Sequence, residues 1–464
     1  MLRTSEASLS DSAALRSFRD PAGTLFRDGQ RILRQVNGEA VAALESFLRT
    51  RTAQDAVERG TLVRSKRLSA DLFEHERIPF PSYPYEWPAE MLYAAGKLTM
   101  ELARGALEEG FGIKDATPYN VLFHGSRAVF VDVLSFEPRD GRDAAWLAYG
   151  QFVRTFLLPL LANQRLGMPL APIFSGARDG LEPETVYRWS GTLQRFFPPF
   201  LTLVSIPKWL SGREKETTYR PRRAPSEEQA LFILERVLRS CERQLDSLKP
   251  RACDSTWSGY LEHKSIYTAA QRAQKEALVR EALAIALPGE VLDIGANEGY
   301  FSFLAARERA SVVAIDSDAA CVGSIWRGAS QEGLNVLPLV VDWARPTPAM
   351  GWRNRECASF LDRARGGFDL VMMLAVVHHL AVSERIPLEE IFALAAETTR
   401  EYLLIEFVGS DDPCFRRIVR GRDQLYSHLT RESFEAAARE RFDLLKSARI
   451  DGMERWIYLL RKRR

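Results

Sequence analysis

Three acidic residues recur at the ends of short apolar runs in the second half of this chain: Asp293 in "VLDIGANEGYFS", Asp316 in "VVAIDSD" and Asp342 in "VVDW". Gly295 and Gly299 follow the first acid with the spacing GxxxG. Dinucleotide binders use GxGxxG, where the close second glycine lets a pyrophosphate approach the backbone. Without it, a nicotinamide or flavin cofactor is disfavoured. A nucleoside bearing an amino-acid tail and no phosphate fits better, because its ammonium and its ribose each need an acceptor. Asp293 suits the ammonium. Asp316, 21 residues after Gly295, suits the two ribose hydroxyls. Asp342 is placed to accept from an adenine amino group, with Trp343 as a stacking neighbour. Hydrogen bonds to a charged group contribute roughly 1.5–3 kcal/mol each, so Asp316 alone can supply much of the recognition.

The elements that must hold these acids follow from the apolar pattern. "EVLDIGA", "SVVAIDSD", "VLPLVVDW", "FDLVMMLA" and "EYLLIEFVG" read as strands separated by helical stretches, and "FDLLKSARI" and "RWIYLLRK" as two closing strands. Strands alternating with helices imply βαβ units and a parallel, doubly wound sheet, whose ligand lies beyond the C-terminal strand ends. Upstream, "SGREKETTYRPRRAPSEEQ" is polar, charged and proline-bearing, as linkers are. It ends in Ser226 and Gln229, a capping-box spacing that opens a helix with Leu234, Leu238, Cys241 and Leu245 on one face. The expected organisation is an α+β N-terminal domain over 1–210, a linker over 211–225, and an α/β domain with a helical extension over 226–464.

In order and spacing, "VLDIGANEGYFS", "VVAIDSD", "VVDWA" and "FDLVMMLAVVHHL" resemble the successive motifs of class I S-adenosylmethionine-dependent methyltransferases, over about residues 265–464. The resemblance implies a Rossmann-like sheet of seven strands with the last one antiparallel, and S-adenosyl-L-methionine as cofactor. It places Asp293, Gly295, Asn297 and Gly299 on the methionine side, Asp316 on the ribose and Asp342 on the adenine. Trp343 and Leu374 complete the expected cofactor set. His378 and His379, after the fourth strand, are candidates for a general base toward a hydroxyl acceptor. The competing reading has "HHL" opening the next helix, one histidine in its packing and the other under the cofactor. The fourth strand is followed neither by the (Asp/Asn)-Pro-Pro-aromatic turn of base and amide methylation nor by a Pro-Cys nucleophile of the cytosine C5 type, so nucleic acid is disfavoured. Asp412, before Pro413, reads first as a helix N-cap.

The N-terminal half offers "KDATPYNVLFHGSRAVFVDVLSFE". Asp115, Asn120 and Asp132 resemble, over some 25 residues, the catalytic region of aminoglycoside phosphotransferases and protein kinases. That likeness implies Asp115 as base, with Asn120 and Asp132 on magnesium. It departs from the pattern in having no glycine-rich loop and no evident lysine–glutamate pair; Lys66 and Glu86 are the nearest candidates. The alternatives are a degenerate kinase-like domain that binds the acceptor or plays an accessory role, and an unrelated fold with a hairpin turned at Gly125-Ser126. Across nearly the full chain, "HERIPFPSYPYEWPAEM", "IKDATPYNVLF" and "YGQFVRTFLLPLLANQRLG" resemble a bacterial methyltransferase family related to host-specific nodulation proteins of rhizobia.

Composition narrows the classes further. Lys plus Arg (63) nearly cancels Asp plus Glu (61), which is no polyanion-binding signature, and "LLRKRR" reads as a solvated end. The five cysteines, Cys241, Cys253, Cys321, Cys357 and Cys414, form no CxxC or metal spacing, so neither zinc nor a disulfide framework is indicated and a reducing cytoplasm fits. The first twenty residues lack a signal-peptide core. "FFPPFLTLVSIPKWL" is too short and proline-broken to span a bilayer; buried core is the first reading, a greasy acceptor site or membrane-surface contact the second. The expectation is a cytoplasmic methyltransferase acting by O-methylation on a small-molecule or carbohydrate-type acceptor. A bifunctional kinase–methyltransferase and an RNA methyltransferase are the alternatives.

Overall fold

The computed structural model describes residues 17, 19–211, 223–252 and 267–463. The first sixteen residues, most of the expected linker, Cys253 and Arg464 lie outside them. The chain begins with an antiparallel sheet of β1 (Gly23–Asp28), β2 (Arg31–Val36), β3 (Ser65–Arg67) and β4 (Leu72–His75), in the order β1-β2-β4-β3. Pro88 then opens the helix Ala89–Glu108. Met91, Leu92, Ala95, Leu98, Leu102, Ala103 and Ala106 recur at helical spacing and are all buried, so this helix is the spine of the N-terminal half. Around it lie β5 (Phe111–Ile113) paired with β8 (Phe136–Pro138), and the hairpin of β6 (Val121–His124) and β7 (Arg127–Phe130). The hairpin turns at Gly125-Ser126 as the sequence implies.

The second half is the seven-stranded sheet: β9 (Glu290–Ile294), β10 (Ser311–Asp316), β11 (Val336–Val340), β12 (Phe368–Met373), β13 (Thr399–Val408), β14 (Phe442–Arg449) and β15 (Arg455–Lys462). Their order is β11-β10-β9-β12-β13-β15-β14, with β9 to β13 parallel and β15 antiparallel to both its neighbours. The strand order reverses at β9, so the crevice at the ends of β9, β10 and β12 is the switch point where such sheets bind ligands.

Two packing results differ from the sequence expectation. The helix Glu227–Ser247, capped by Ser226 as expected, belongs with the N-terminal half. Leu245 touches Gly96 and Phe156 of that half, and Asp246 binds Lys97 and Tyr93. An apolar stripe specifies burial but not the surface that receives it, and this one is received by the N-terminal half. In "FFPPFLTLVSIPKWL", Phe200, Leu203 and Val204 are core, but Phe196, Phe197, Ile206, Trp209 and Leu210 are exposed.

The two halves share a continuous apolar core and a charged fastening. Phe123, at the N-terminal hairpin, meets Trp326 edge-on at 5.2 Å and Trp87 at 4.9 Å. Glu86 is fully buried and accepts hydrogen bonds from Arg363 and Thr347, both on the segment that follows β11. Arg363 also donates to the Pro81 carbonyl at 2.6 Å, and the Ala358 N–H donates to the Tyr83 hydroxyl at 3.3 Å. Glu90 pairs with Arg327 nearby. Among the described residues, no helix is long and apolar enough to cross a membrane.

Candidate active site

A cavity of about 350 Å³ opens at the C-terminal ends of β9 to β12, within the usual size range for small-molecule sites. Asp293, Gly295, Asn297, Asp316, Asp342, Trp343, Leu374, His378 and His379 all line it. Of the expected cofactor set, Gly299 alone is not on its wall. Gly299 instead caps the helix Tyr300–Arg307 at φ +82°, where a Cβ would meet Ile325 at 2.9 Å. At Gly295, with φ +69°, a Cβ would lie 2.4 Å from a Val376 methyl. A side chain there would collide with Val376, so glycine lets the loop after β12 approach the end of β9 closely.

The acids differ in what already holds them. Asp293 ends β9 buried, and accepts from the Ser302 hydroxyl at 2.6 Å. Burial pushes its carboxyl up to about 6, with the Ser302 hydrogen bond pulling the other way. Asp316 accepts one main-chain N–H on each oxygen, from Asn297 and from Asp318, both at 2.9 Å. These bonds fix its plane and leave further lone pairs toward the cavity. Burial nevertheless raises its pKa. Asp342 accepts from the Ala344 N–H at 2.9 Å and pairs with Arg345 at 2.7 Å, which also grips Glu384 at 2.6 Å. Trp343 packs edge-on against Phe360 at 6.4 Å.

On the loop after β12, Ala375 has φ +60°, a left-handed conformation uncommon outside glycine and typical of sites under functional strain. This turn aims Leu374 and Val376 at the cavity. His378 is buried, and its Nδ1 has no hydrogen-bond partner. Burial, and then the neighbouring His379 at 4.3 Å between ring centroids, hold its pKa well below the ordinary value. Burial lowers that of His379 as well, with Arg417 adding to the effect. Both shifts favour the neutral ring. His379 also begins the helical turn His379–Ser383, so the packing reading and the cavity reading hold together.

One cluster on the same wall was not anticipated. Lys275 from the helix Ala269–Ala286 binds Glu406 at 2.6 Å; the Tyr267 hydroxyl donates to Glu406 at 2.7 Å. Arg455, at the start of β15, bridges Glu406 at 3.2 Å and Asp412 at 2.7 Å. All four ionic side chains are buried, and burial alone would raise Glu406, yet Lys275 and Arg455 hold it below the usual carboxylate range. Tyr267, Lys275 and Arg455 reach the cavity. Asp412 also caps the helix Pro413–Val419, as its sequence context implies. The available signal was Glu406 itself, an acid inside the apolar run "YLLIEFV", because a buried charge requires partners.

The kinase-like residues are brought together in a different role. Asn120 donates to the Asp115 carbonyl and to Ser135, both at 3.0 Å, and Ser135 donates to Asp132 at 2.7 Å. The other Asp132 oxygen accepts from Arg34 at 2.6 Å. Burial opposes the charge on Asp132, but Arg34 and Ser135 hold its pKa below the ordinary value. A guanidinium thus occupies the carboxylate that a kinase would turn to magnesium. The suggested lysine–glutamate pair does not form: Lys66 is exposed opposite Glu74, and Glu86 belongs to Arg363.

The family described as a methyltransferase domain matches residues 267–461. The nodulation protein NoeA of Rhizobium meliloti (strain 1021) is 31% identical over 461 residues, covering 95% of this chain and 94% of the relative. Among solved structures, the N-methyltransferase NodS of Bradyrhizobium japonicum WM9 covers 42% of this chain and 98% of its own, at 12% identity and TM-score 0.31. The bifunctional kinase-methyltransferase WbdD covers 47% of this chain and 45% of its own, at 19% identity and TM-score 0.31. With a full-length relative and a methyltransferase domain built on the crevice just described, the chain belongs to the family of the nodulation protein NoeA and is an S-adenosylmethionine-dependent methyltransferase.

Proposed function

We propose that the chain methylates a hydroxyl of a small-molecule or carbohydrate-type acceptor, with the His378–His379 pair serving proton transfer. The observation that carries this is a neutral, buried imidazole whose Nδ1 is unpartnered, on the wall of the cofactor cavity. A neutral ring keeps a lone pair for a hydroxyl proton and adds no positive charge beside a sulfonium.

The cavity residues fit the cofactor, since Asp293, Asp316 and Asp342 line one crevice and main-chain bonds fix the plane of Asp316. Asp316 then holds the ribose hydroxyls and Trp343 flanks the adenine. Asp342 accepts from the adenine amino group while sharing its charge with Arg345. Asp293 faces the ammonium, and Lys275 and Arg455 bring positive charge to the wall that suits the carboxylate. When bound, S-adenosylmethionine supplies an electrophilic methyl group. The residues contribute register, which can be worth about 7–11 kcal/mol of barrier. The kinase alternative is weakened by Arg34, which already neutralises Asp132.

The test follows radiolabelled methyl from the cofactor into cell extract separated into small molecules, polysaccharide, protein and RNA. Label is expected in the first two fractions; label confined to RNA or protein overturns the reading. With an acceptor in hand, His378→Ala or His379→Ala is expected to lower kcat by about 10²–10⁴ while cofactor affinity changes little.

A further inference from the structure

Between Tyr187 and Ser211 the chain carries three cations, Arg188, Arg195 and Lys208, and no Asp or Glu. Phe200, Leu203 and Val204 anchor this segment in the main core. Its other side is unusual for a surface. Trp189, Leu193, Phe196, Phe197, Trp209 and Leu210 are between 43% and 78% exposed. They share one neighbourhood, since the Phe196 and Trp209 rings are 6.4 Å apart and the helices Pro183–Trp189 and Ile206–Ser211 touch. The cations are interleaved with them: Arg195 and Lys208 lie 4.0 Å and 4.8 Å from the centre of the same Tyr187 ring.

Clustered exposed apolar side chains mark interaction sites. Tryptophan and phenylalanine mixed with arginine and lysine suit one partner above others, a lipid headgroup region that takes amphipathic rings at its apolar boundary and cations at its anionic surface. A second copy of the same face fits poorly, because an isologous contact sets the three cations against their own kind. We propose that segment 187–211 is a peripheral anchor that docks the protein on an anionic lipid bilayer. The rings enter the headgroup boundary, and Arg188, Arg195 and Lys208 meet the anionic lipids. The absence of any membrane-crossing helix among the described residues is compatible with an anchor that lies on the surface.

The full chain is sedimented with vesicles of phosphatidylcholine alone and of phosphatidylcholine with phosphatidylglycerol, at low and high salt. The wild type is expected to bind the anionic vesicles, more weakly in high salt. The variants F196S/F197S/W209S and R195E/K208E are each expected to partition at least tenfold more weakly, while L287S, which alters an exposed leucine elsewhere, behaves as wild type. Retained cofactor binding in every variant shows that the fold is intact. Failure to bind anionic vesicles overturns the proposal, as does binding that both patch variants leave unchanged. Self-association that F196S/F197S/W209S abolishes, without vesicle binding, assigns the face to a second copy and also overturns it.

Discussion

Asp293 and Asp316 stand at the ends of adjacent strands, yet their surroundings ask different things of them. Asp316 is oriented by two main-chain N–H groups before any ligand arrives. Losing charged hydrogen bonds of about 1.5–3 kcal/mol each, Asp316→Ala is expected to weaken cofactor binding by roughly ten- to a hundredfold in isothermal titration. Asp293 is tuned instead by burial, which raises its carboxyl to about 6. Because the folded value exceeds the unfolded one, the folded state holds this proton more tightly, and the Asp293 contribution to stability falls as pH rises from about 4 to 6. A ligand carrying an ammonium and a sulfonium favours the ionised form, so cofactor affinity is expected to rise over pH 5 to 7. Titrations at stepped pH check this, and Asp293→Asn should flatten the curve. At this scale the sequence was informative wherever a residue type combines with a strand end, as for the three acids. It was less so for Lys275 and Arg455, whose partners, Glu406 and Asp412, lie far along the chain and meet them only through the fold.

Among elements, the segment between β11 and β12 carries Asp342 and Trp343 to the cavity wall and is held largely from outside its own sheet. Trp343 packs on Phe360, Phe360 on Phe80 at 5.7 Å, and Arg363 reaches back to Glu86. Removing one partner from a buried ion pair leaves the other charge stranded, at about 3–5 kcal/mol. Glu86→Ala and Arg363→Ala are therefore expected to lower Tm by several degrees. Each should also weaken cofactor binding several-fold, and the double variant should fall short of the sum. Calorimetry and titration on the four proteins of the cycle decide it. The five parallel strands were readable because they alternate with helices, and the closing pair because two apolar runs follow the last helix. Glu86 was not, since nothing in "YPYEWPAEM" announces a partner 277 residues downstream.

For the whole molecule, the packing of the helix after the polar stretch decides how the two halves are joined. The polar stretch is there in the sequence, but the helix after it packs backward onto Gly96 and Phe156. Trp326, Leu337 and Leu339 of the second half are covered within a core that runs through Phe123 and Trp87 of the first. Heating is accordingly expected to give one cooperative transition, and a fragment of residues 267–464 to expose that surface and aggregate. Two separated calorimetric peaks, or a monodisperse fragment, would contradict a shared core.

The Glu86–Arg363 fastening has a bearing on how such a protein can change over evolutionary time. A Rossmann-like unit grafted from a lineage without that arginine would leave Glu86 alone, and a first half without that glutamate would leave Arg363 alone. Either chimera would strand a charge in the interior. Recombination between relatives is thus penalised unless both ends travel together, which favours inheritance of the chain as one indivisible piece.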